Sequence, residues 1–202
     1  MPGRFAIDSY PTGINMSEPY RPRPTRALEN RYSRTLAFLL ETAVPPGRVL
    51  DLGAPNPLAD RVAGHGFVVH HTDKDLDLHP DSVKGHEVDF VTAFEILEHL
   101  VAPYNVLRAL PADRLFATVP LRLWFASAYR NPTDEWDRHY HEFEDWQFDW
   151  LLQKAGWTVV RRQKWTSPTG QLGFRPLLRR FANRYYAVEA VRDHTTSGLD
   201  EK

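Results

Sequence analysis

Residues 48–57, with the sequence RVLDLGAPNP, constrain the fold more than any other part of this chain. The apolar run predicts a short buried strand, and Gly53 marks a tight turn directly after it. Asn56 followed by Pro57 predicts the start of a helix. The Asn side chain can accept a hydrogen bond from a first-turn amide, and proline at the first helical position lacks only an N–H that would have no helical partner. The segment therefore opens a strand–turn–helix unit.

Further helices and strands are predicted to alternate along the chain. Apolar periodicity predicts helices over 25–43, 58–63, 103–110 and 142–155, the last with Phe143, Trp146, Trp150 and Leu151 on one face. Strands are predicted over 67–73, 88–94, 115–119, 157–165 and 185–191. This alternation favours an α/β fold with a mostly parallel sheet, helices on both faces and an antiparallel pair at the C-terminal end. Too few residues separate Asp73 from Val88 for a helix plus a strand, so one crossover is predicted to be shortened.

Composition predicts one domain and excludes several kinds of site. With 202 residues, we expect a single domain over 25–192, an irregular proline-containing arm over 1–24 and a flexible tail over 193–202. The balance of 25 basic and 26 acidic residues indicates no global attraction to nucleic acid. The absence of cysteine excludes disulfides, thiolate nucleophiles and cysteine-containing zinc sites. No apolar run is long enough for a transmembrane segment, and we expect a cytoplasmic protein whose oligomeric state is open.

Polar residues follow the predicted strands, at the edge where open α/β sheets bind ligands. Asp73 lies 20 positions beyond Gly53, the offset at which an acidic residue binds ribose hydroxyls, and this predicts an adenosine-type ligand. The alternative is that Asp73, Asp75 and Asp77 only solvate a loop. The glycines of a dinucleotide fingerprint are missing after Gly53, which argues against a nicotinamide or flavin cofactor.

Three segments together resemble the class I S-adenosylmethionine-dependent methyltransferases. They are VLDLG at 49–53, VDFVTAFEILEHL at 88–100, and HYHEFEDWQFDWLLQKAGW at 139–157, with the acidic residue Asp73 between the first two. EILEHL is especially similar to the subgroup that includes ubiquinone-biosynthesis and other small-molecule methyltransferases. The resemblance covers roughly residues 28–192 and rests on several motifs in the same order.

The resemblance implies a Rossmann-like methyltransferase sheet, S-adenosylmethionine as cofactor and a set of residues that bind it. Asp73 would bind ribose and Lys74 would flank adenine. The other implied cofactor-binding residues are the loop residues Asp51, Gly53, Ala54, Pro55 and Asn56, which surround the methionine portion, and Phe94 and Glu95. Pro55 and Pro57 replace two glycines of the family's loop and remove two backbone donors. A catalytically degenerate protein that only binds ligands or partners is therefore the alternative.

Three histidines are candidates for the general base that a hydroxyl acceptor needs, namely His99, His139 and His141. For His99 a structural role at a helix start is an equal alternative. No carboxylate pattern selects a metal for His139 and His141, so no metal site is expected.

Two groups of side chains bear on the acceptor. The aromatic residues Trp124, Phe125, Tyr129, Trp136 and Tyr140 suggest a flat or apolar acceptor, with core packing as the alternative. The basic residues Arg175, Arg179, Arg180 and Arg184 suggest an anionic small-molecule acceptor, with a solvated helix face as the alternative.

Overall fold

The computed structural model describes residues 25–132, 137–167 and 178–194. Its helices are α1 (Arg26–Leu40), α2 (Pro57–Gly64), α3 (Pro103–Ala109) and α4 (Asp145–Lys154). Its strands are β1 (Gly47–Asp51), β2 (Phe67–His71), β3 (Phe90–Phe94), β4 (Arg114–Pro120), β5 (Trp157–Thr166) and β6 (Asn183–Arg192). Each predicted helix and strand is present, with ends shifted by a few residues. The predicted arm, most of the predicted tail, Trp136 and Arg175 lie outside the described residues.

The six strands form one mixed sheet in the order β2-β1-β3-β4-β6-β5. Strands β1 to β4 are parallel, and β6 runs antiparallel to both β4 and β5. The predicted mostly parallel sheet with an antiparallel C-terminal pair is thereby confirmed. Because β6 is antiparallel, Pro120 at the end of β4 pairs with Tyr185 at the start of β6. The carboxyl ends of β1–β4 and the amino end of β6 therefore share one edge of the sheet.

Helices cover both faces of this sheet, as predicted. On one face, Phe38 of α1 and Val62 of α2 pack with Phe90 and Phe116 of the strands. On the other face, Leu107 of α3 and Phe148 and Leu152 of α4 join a larger cluster of strand residues. Within the described residues, no helix has the length and apolar character needed to span a membrane.

The shortened crossover is the connection between β2 and β3. It contains only a short 3₁₀ helix, Pro80–Val83, so β2 forms an edge of the sheet. Carboxylates order the start of this connection: Asp75 accepts from the backbone N–H of Asp77, and Asp77 accepts from the N–H groups of Val101 and Ala102 at 2.9 and 2.8 Å. The connection is thereby joined to the segment that follows β3.

The predicted apolar face of α4 is wrong. Trp146 and Trp150 are 48% and 64% exposed, and their rings contact each other edge to face at 4.7 Å. The buried face instead carries Phe148 and Leu152, both 0% exposed. The helix begins at Asp145 with a Glu144–Gln147 capping box, so Phe143 precedes it. Aromatic size misled the prediction, because the residues that face the sheet are the ones at positions 148, 152 and 155.

A network of charged side chains fastens α1 to the C-terminal strands. Glu189 of β6, 6% exposed, accepts hydrogen bonds from Arg114 of β4, from Arg161 of β5 and from Thr42 just after α1. Arg161 also donates to the carbonyl oxygen of Phe38 at 2.6 Å, at the end of α1. Three strands and one helix thus meet at a single carboxylate.

Candidate active site

Asp51 ends β1 with its carboxylate buried, 5% exposed. Its Oδ1 accepts from the Thr92 hydroxyl at 2.6 Å, and its Oδ2 accepts from the Asn56 amide at 2.9 Å. Burial raises the pKa of Asp51 to about 7, although both hydrogen bonds act in the opposite direction. His71 lies 3.6 Å away, but burial lowers its own pKa, so it supplies no compensating charge near neutral pH. Asp51 is therefore a buried carboxylate without a cationic partner among the described residues.

Gly53 makes the turn that follows. Its φ of +97° lies in the left-handed region, and a Cβ atom there would come within 3.0 Å of Ile96 Cδ1. Its N–H donates to the Thr72 hydroxyl at 2.7 Å, which joins this turn to the residue that precedes Asp73. The Gly53 turn and the end of β2 are thereby held side by side.

Asn56 caps α2, as the sequence predicted. Its Oδ1 accepts from the N–H groups of Leu58 and Ala59 at 3.1 and 3.0 Å, and Pro57 occupies the first helical turn. The helix start therefore satisfies its own donors and offers few of them to a phosphate. Ala54, Pro55 and Asn56 are themselves half-buried.

The remaining predicted cofactor residues lie along the same edge. Asp73 and Lys74 are exposed just beyond β2. Phe94 ends β3, and Glu95 follows it with a φ of +55°, unusual for a residue other than glycine. Glu95 forms an ion pair with Arg31 of α1 at 3.0 Å. The Glu95 side chain is 14% exposed and that of Arg31 is 24% exposed. The first helix thus reaches the ends of the strands.

The structure brings together two of the three predicted histidines. The rings of His99 and His139 meet edge to face at 4.7 Å, and Nε2 of His99 lies 3.7 Å from the carboxylate of Glu98. His141 lies apart from this cluster: its Nε2 is 3.3 Å from the Val101 carbonyl oxygen, and its ring stacks on Phe143.

Burial sets the electrostatics of this cluster. It raises the pKa of Glu98, which is 1% exposed, and the neighbouring Glu95 carboxylate acts in the same direction. Burial also lowers the pKa of His139 to about 4, assisted by His99 and Arg184. His139 is therefore neutral near pH 7 and able to accept a hydrogen bond or a metal ion.

Glu98, His99 and His139 each offer a ligand atom, and these atoms lie within 4.8 Å of one another. Nδ1 of His99 is 3.0 Å from the carbonyl oxygen of Arg138. If Nδ1 carries the proton and donates it to this oxygen, Nε2 is the unprotonated nitrogen, and its lone pair is on the side of Glu98. Oε2 of Glu98 and Nδ1 of His139 are buried without a hydrogen-bond partner in the described part of the chain. The sequence predicted no metal here, and that prediction is untested.

A second group of residues lines a cleft beyond β4. It is formed by Leu123, Ala126, Ser127, Tyr129, Glu142, Arg179 and Arg184. The Tyr129 ring lies 4.5 Å from that of His139, so the cleft adjoins the histidine cluster. Trp124 and Tyr140, which were candidates for core packing, are 76% and 52% exposed.

Sequence reasoning missed the residues that hold the predicted ones in place. They are Thr72, Thr92 and Arg31, together with Glu98, which lies inside a recognised motif. Thr92 had a signal in the sequence, since a hydroxyl between Val91 and Ala93 in a buried strand needs a hydrogen-bond partner. Arg31 had none, because its partner is 64 positions away.

No family model and no curated protein matches this chain by sequence. Solved structures do match its fold. A chain in the complex of the Haloferax volcanii Trm112 methyltransferase activator with a methyltransferase has a TM-score of 0.51 and 13% identity, over 84% of this chain and 92% of that one. The Haemonchus contortus phosphoethanolamine N-methyltransferase 2, in complex with S-adenosyl-L-methionine, has a TM-score of 0.52 and 11% identity, over 80% and 52%. The [4+2]-cyclase SpnF has a TM-score of 0.50 and 15% identity, over 80% and 81%.

At these identities the likeness shows the fold, which is that of the class I S-adenosylmethionine-dependent methyltransferases. The predicted Rossmann-like methyltransferase sheet is confirmed. The presence of a cyclase among the matches illustrates that one fold hosts different reactions. The reaction of this chain therefore has to be argued from its own site.

Proposed function

We propose that this protein transfers a methyl group from S-adenosylmethionine to a small-molecule acceptor, as in the ubiquinone-biosynthesis-like subgroup that its motifs resemble. The observation that carries the proposal is the arrangement at the ends of β1 and β2. A buried Asp51 carboxylate without a cationic partner among the described residues lies two positions before the Gly53 turn. Thr72 fastens that turn beside the exposed Asp73.

The chemistry of these residues fits the parts of S-adenosylmethionine. Its methionine portion carries an ammonium group, which would supply the positive charge that Asp51 lacks. Its ribose hydroxyls would donate to Asp73. It carries no phosphate, so the donors removed by Pro55 and Pro57, and those already used by Asn56, are not needed.

Methyl transfer is an in-line displacement in which the acceptor atom bonds to the methyl carbon as the carbon–sulfur bond breaks. The protein has to align the two reactants and exclude water. A hydroxyl acceptor also loses a proton. We assign the acceptance of that proton to the His99–His139 pair, because the two rings are in contact and Nδ1 of His139 has no hydrogen-bond partner in the described part of the chain. His141 lies outside this pair.

As an alternative to that proton-accepting role, Glu98, His99 and His139 have the chemistry of a divalent metal site, with one carboxylate and two imidazoles. The contact of His99 Nδ1 with a backbone carbonyl is typical of metal-binding histidines. A metal ion bound there would lower the pKa of an acceptor hydroxyl. Equilibrium dialysis with Mg²⁺, Mn²⁺ and Zn²⁺ tests the site directly, with His139→Ala as the disrupted variant and His141→Ala as its matched control.

Isothermal titration with S-adenosylmethionine and S-adenosylhomocysteine tests the proposed cofactor. We expect both to bind, and Asp73→Ala to weaken both by about tenfold through loss of hydrogen bonds to a charged group. Asp113→Ala is the matched control, because Asp113 is an exposed carboxylate just before β4, at the opposite edge of the sheet. If neither compound binds at millimolar concentration, the proposal is wrong.

The second candidate function is a binding module that keeps the fold and has lost catalysis. The two prolines and the self-satisfied start of α2 favour it, since they reduce what the loop can offer a ligand. The two candidates differ in turnover. Formation of S-adenosylhomocysteine in the presence of hydroxylated and amine acceptors supports the enzyme, whereas cofactor binding without turnover across such a panel supports the module.

A further inference from the structure

We propose that the cleft beyond β4 binds an oxyanion of the acceptor, either a carboxylate or a phosphate, through Arg179 and Arg184. This inference rests on the proposed methyltransferase function and names the chemical class of its acceptor. Both arginines line the cleft together with Ser127, which offers a hydroxyl, and Tyr129, whose hydroxyl already donates to Asp137. Guanidinium groups bind carboxylates and phosphates through paired N–H donors, which hydroxyl groups can supplement.

The cleft is placed where an acceptor has to lie. The predicted cofactor residues follow β1, β2 and β3. His99 also follows β3, His139 lies between β4 and α4, and the cleft lies beyond β4 and at the start of β6. These strands stand in the order β2-β1-β3-β4-β6, so the histidines separate the two sites along one edge. An anion in the cleft would therefore hold a molecule whose other end reaches the histidines and the cofactor.

Arg184 is fixed in place by its own contacts. It lies at the start of β6, and its Nη1 donates to the carbonyl oxygen of Leu121 at 2.7 Å. Its charge is also near enough to act on Glu98 and His139 of the histidine cluster. One side of the guanidinium is thus held by backbone while its charge acts on both the cleft and the histidine cluster.

The charge of the cleft is positive on balance. Arg179 is half-buried and forms no ion pair within the described ranges. The one carboxylate lining the cleft, Glu142, accepts a hydrogen bond from the backbone N–H of Tyr129. Asp137, which accepts from the Tyr129 hydroxyl, and the Arg122–Glu144 pair, 3.8 Å apart, are not among the lining residues. The lining residues themselves carry two cations and one carboxylate, which leaves one positive charge for an anion.

Tyr129 connects the cleft to the reacting groups. Its ring lies 4.5 Å from His139, and its hydroxyl donates to Asp137. A flat acceptor anchored by its anion could lie along this ring and present its far end to His139. The arginines and the aromatic residues, which the sequence suggested separately as acceptor determinants, are neighbours in the fold.

The experiment is an NMR titration of the full-length protein, following the arginine Nε–Hε signals at constant ionic strength. The probes are sodium benzoate, inorganic phosphate and the uncharged analogue benzamide. We expect benzoate, phosphate or both to shift the Arg179 and Arg184 signals, and benzamide to leave them unchanged. The anion that binds more tightly identifies the acceptor's charged group as carboxylate or phosphate.

Arg179→Gln should weaken binding of the anion by about tenfold or more. Arg179→Lys, which keeps the charge without the planar fork, should weaken it less. Arg180→Gln is the matched control, because Arg180 is the adjacent residue, is exposed and does not line the cleft. Equal effects of the 179 and 180 glutamine variants, or equal shifts with benzoate and benzamide, would overturn the inference.

A cofactor titration on the same sample separates this inference from the proposed function. Binding of S-adenosylmethionine without an anion effect leaves the methyltransferase proposal standing and removes the anionic acceptor. Anion binding without cofactor binding removes the methyltransferase proposal, and with it the acceptor role assigned to the cleft.

Discussion

The buried carboxylate of Asp51 should make stability depend on pH, and Asp51→Asn should remove that dependence. Burial raises the pKa of Asp51 from 3.8 to about 7 in the folded protein. A raised pKa means that the folded state binds the proton more tightly than the unfolded state. The stabilisation is therefore complete below the unfolded pKa, and it is lost as the pH rises through the folded pKa.

The size of the effect follows from the shift in pKa. A difference of about 3 units, at roughly 1.36 kcal/mol per unit, corresponds to about 4 kcal/mol in the free energy of unfolding. Most of it, about 3 kcal/mol, should be lost between about pH 4 and about pH 7. An asparagine at position 51 can still accept from Thr92, but its amide group would face the amide of Asn56. We expect that mismatch to cost a constant amount of about 1 kcal/mol at every pH.

Urea unfolding of both proteins across this pH range measures the difference in their free energies of unfolding. The wild type should be the more stable at the acid end, and the asparagine variant should gain on it as the pH rises. Taking the difference between the two cancels the titration of all other groups. A difference that stays constant across the range would refute our account of Asp51, since it would mean that the carboxylate titrates alike in both states.

Three further outcomes are expected. Gly53→Ala should lower the free energy of unfolding by about 1–3 kcal/mol, because position 53 has a positive φ and the added Cβ would lie 3.0 Å from Ile96 Cδ1. Gly64→Ala is its control: a Cβ there meets nothing within 4 Å, so the change should be neutral or slightly stabilising in the same urea assay. Glu189→Gln should destabilise by about 2 kcal/mol near neutral pH. Burial opposes ionisation of Glu189, but hydrogen bonds from two arginines and Thr42 lower its pKa, so its contribution should disappear as the pH falls through that lowered pKa. If Asp51 meets the cofactor's ammonium, S-adenosylmethionine binding near pH 7 should release a proton, visible as a dependence of the titration enthalpy on the buffer.

The sequence was sufficient for most of the fold, because its signals there are local. The Asn56–Pro57 helix start and the alternation of strands and helices each depend on neighbouring residues. The shortened crossover was predictable from spacing alone. The buried face of α4 was not predictable from the sequence. Trp146 and Trp150 are larger than Phe148, yet of these three residues only Phe148 is buried against the sheet.

The candidate site was predictable in outline and not in its electrostatics. Motif order placed Asp51, Gly53 and Asp73 at one edge of the sheet. The raised pKa of Asp51 and the isolation of His141 arise from contacts between residues far apart in the chain. The closeness of Tyr129 to His139 depends on how residues within the one connection between β4 and α4 pack, which no local pattern encodes.

The network at Glu189 has a consequence for the order of events during folding. Thr42 and Glu189 are 147 positions apart, and Arg161 and Phe38 are 123 apart. The end of α1 therefore cannot make these hydrogen bonds until β5 and β6 have been synthesised and paired. On the ribosome, Phe38 can pack on Phe90 and Phe116 as soon as the parallel strands form, whereas Thr42 and the Phe38 carbonyl have to wait for the C-terminal hairpin. The C-terminal hairpin is therefore what completes the attachment of α1 to the sheet.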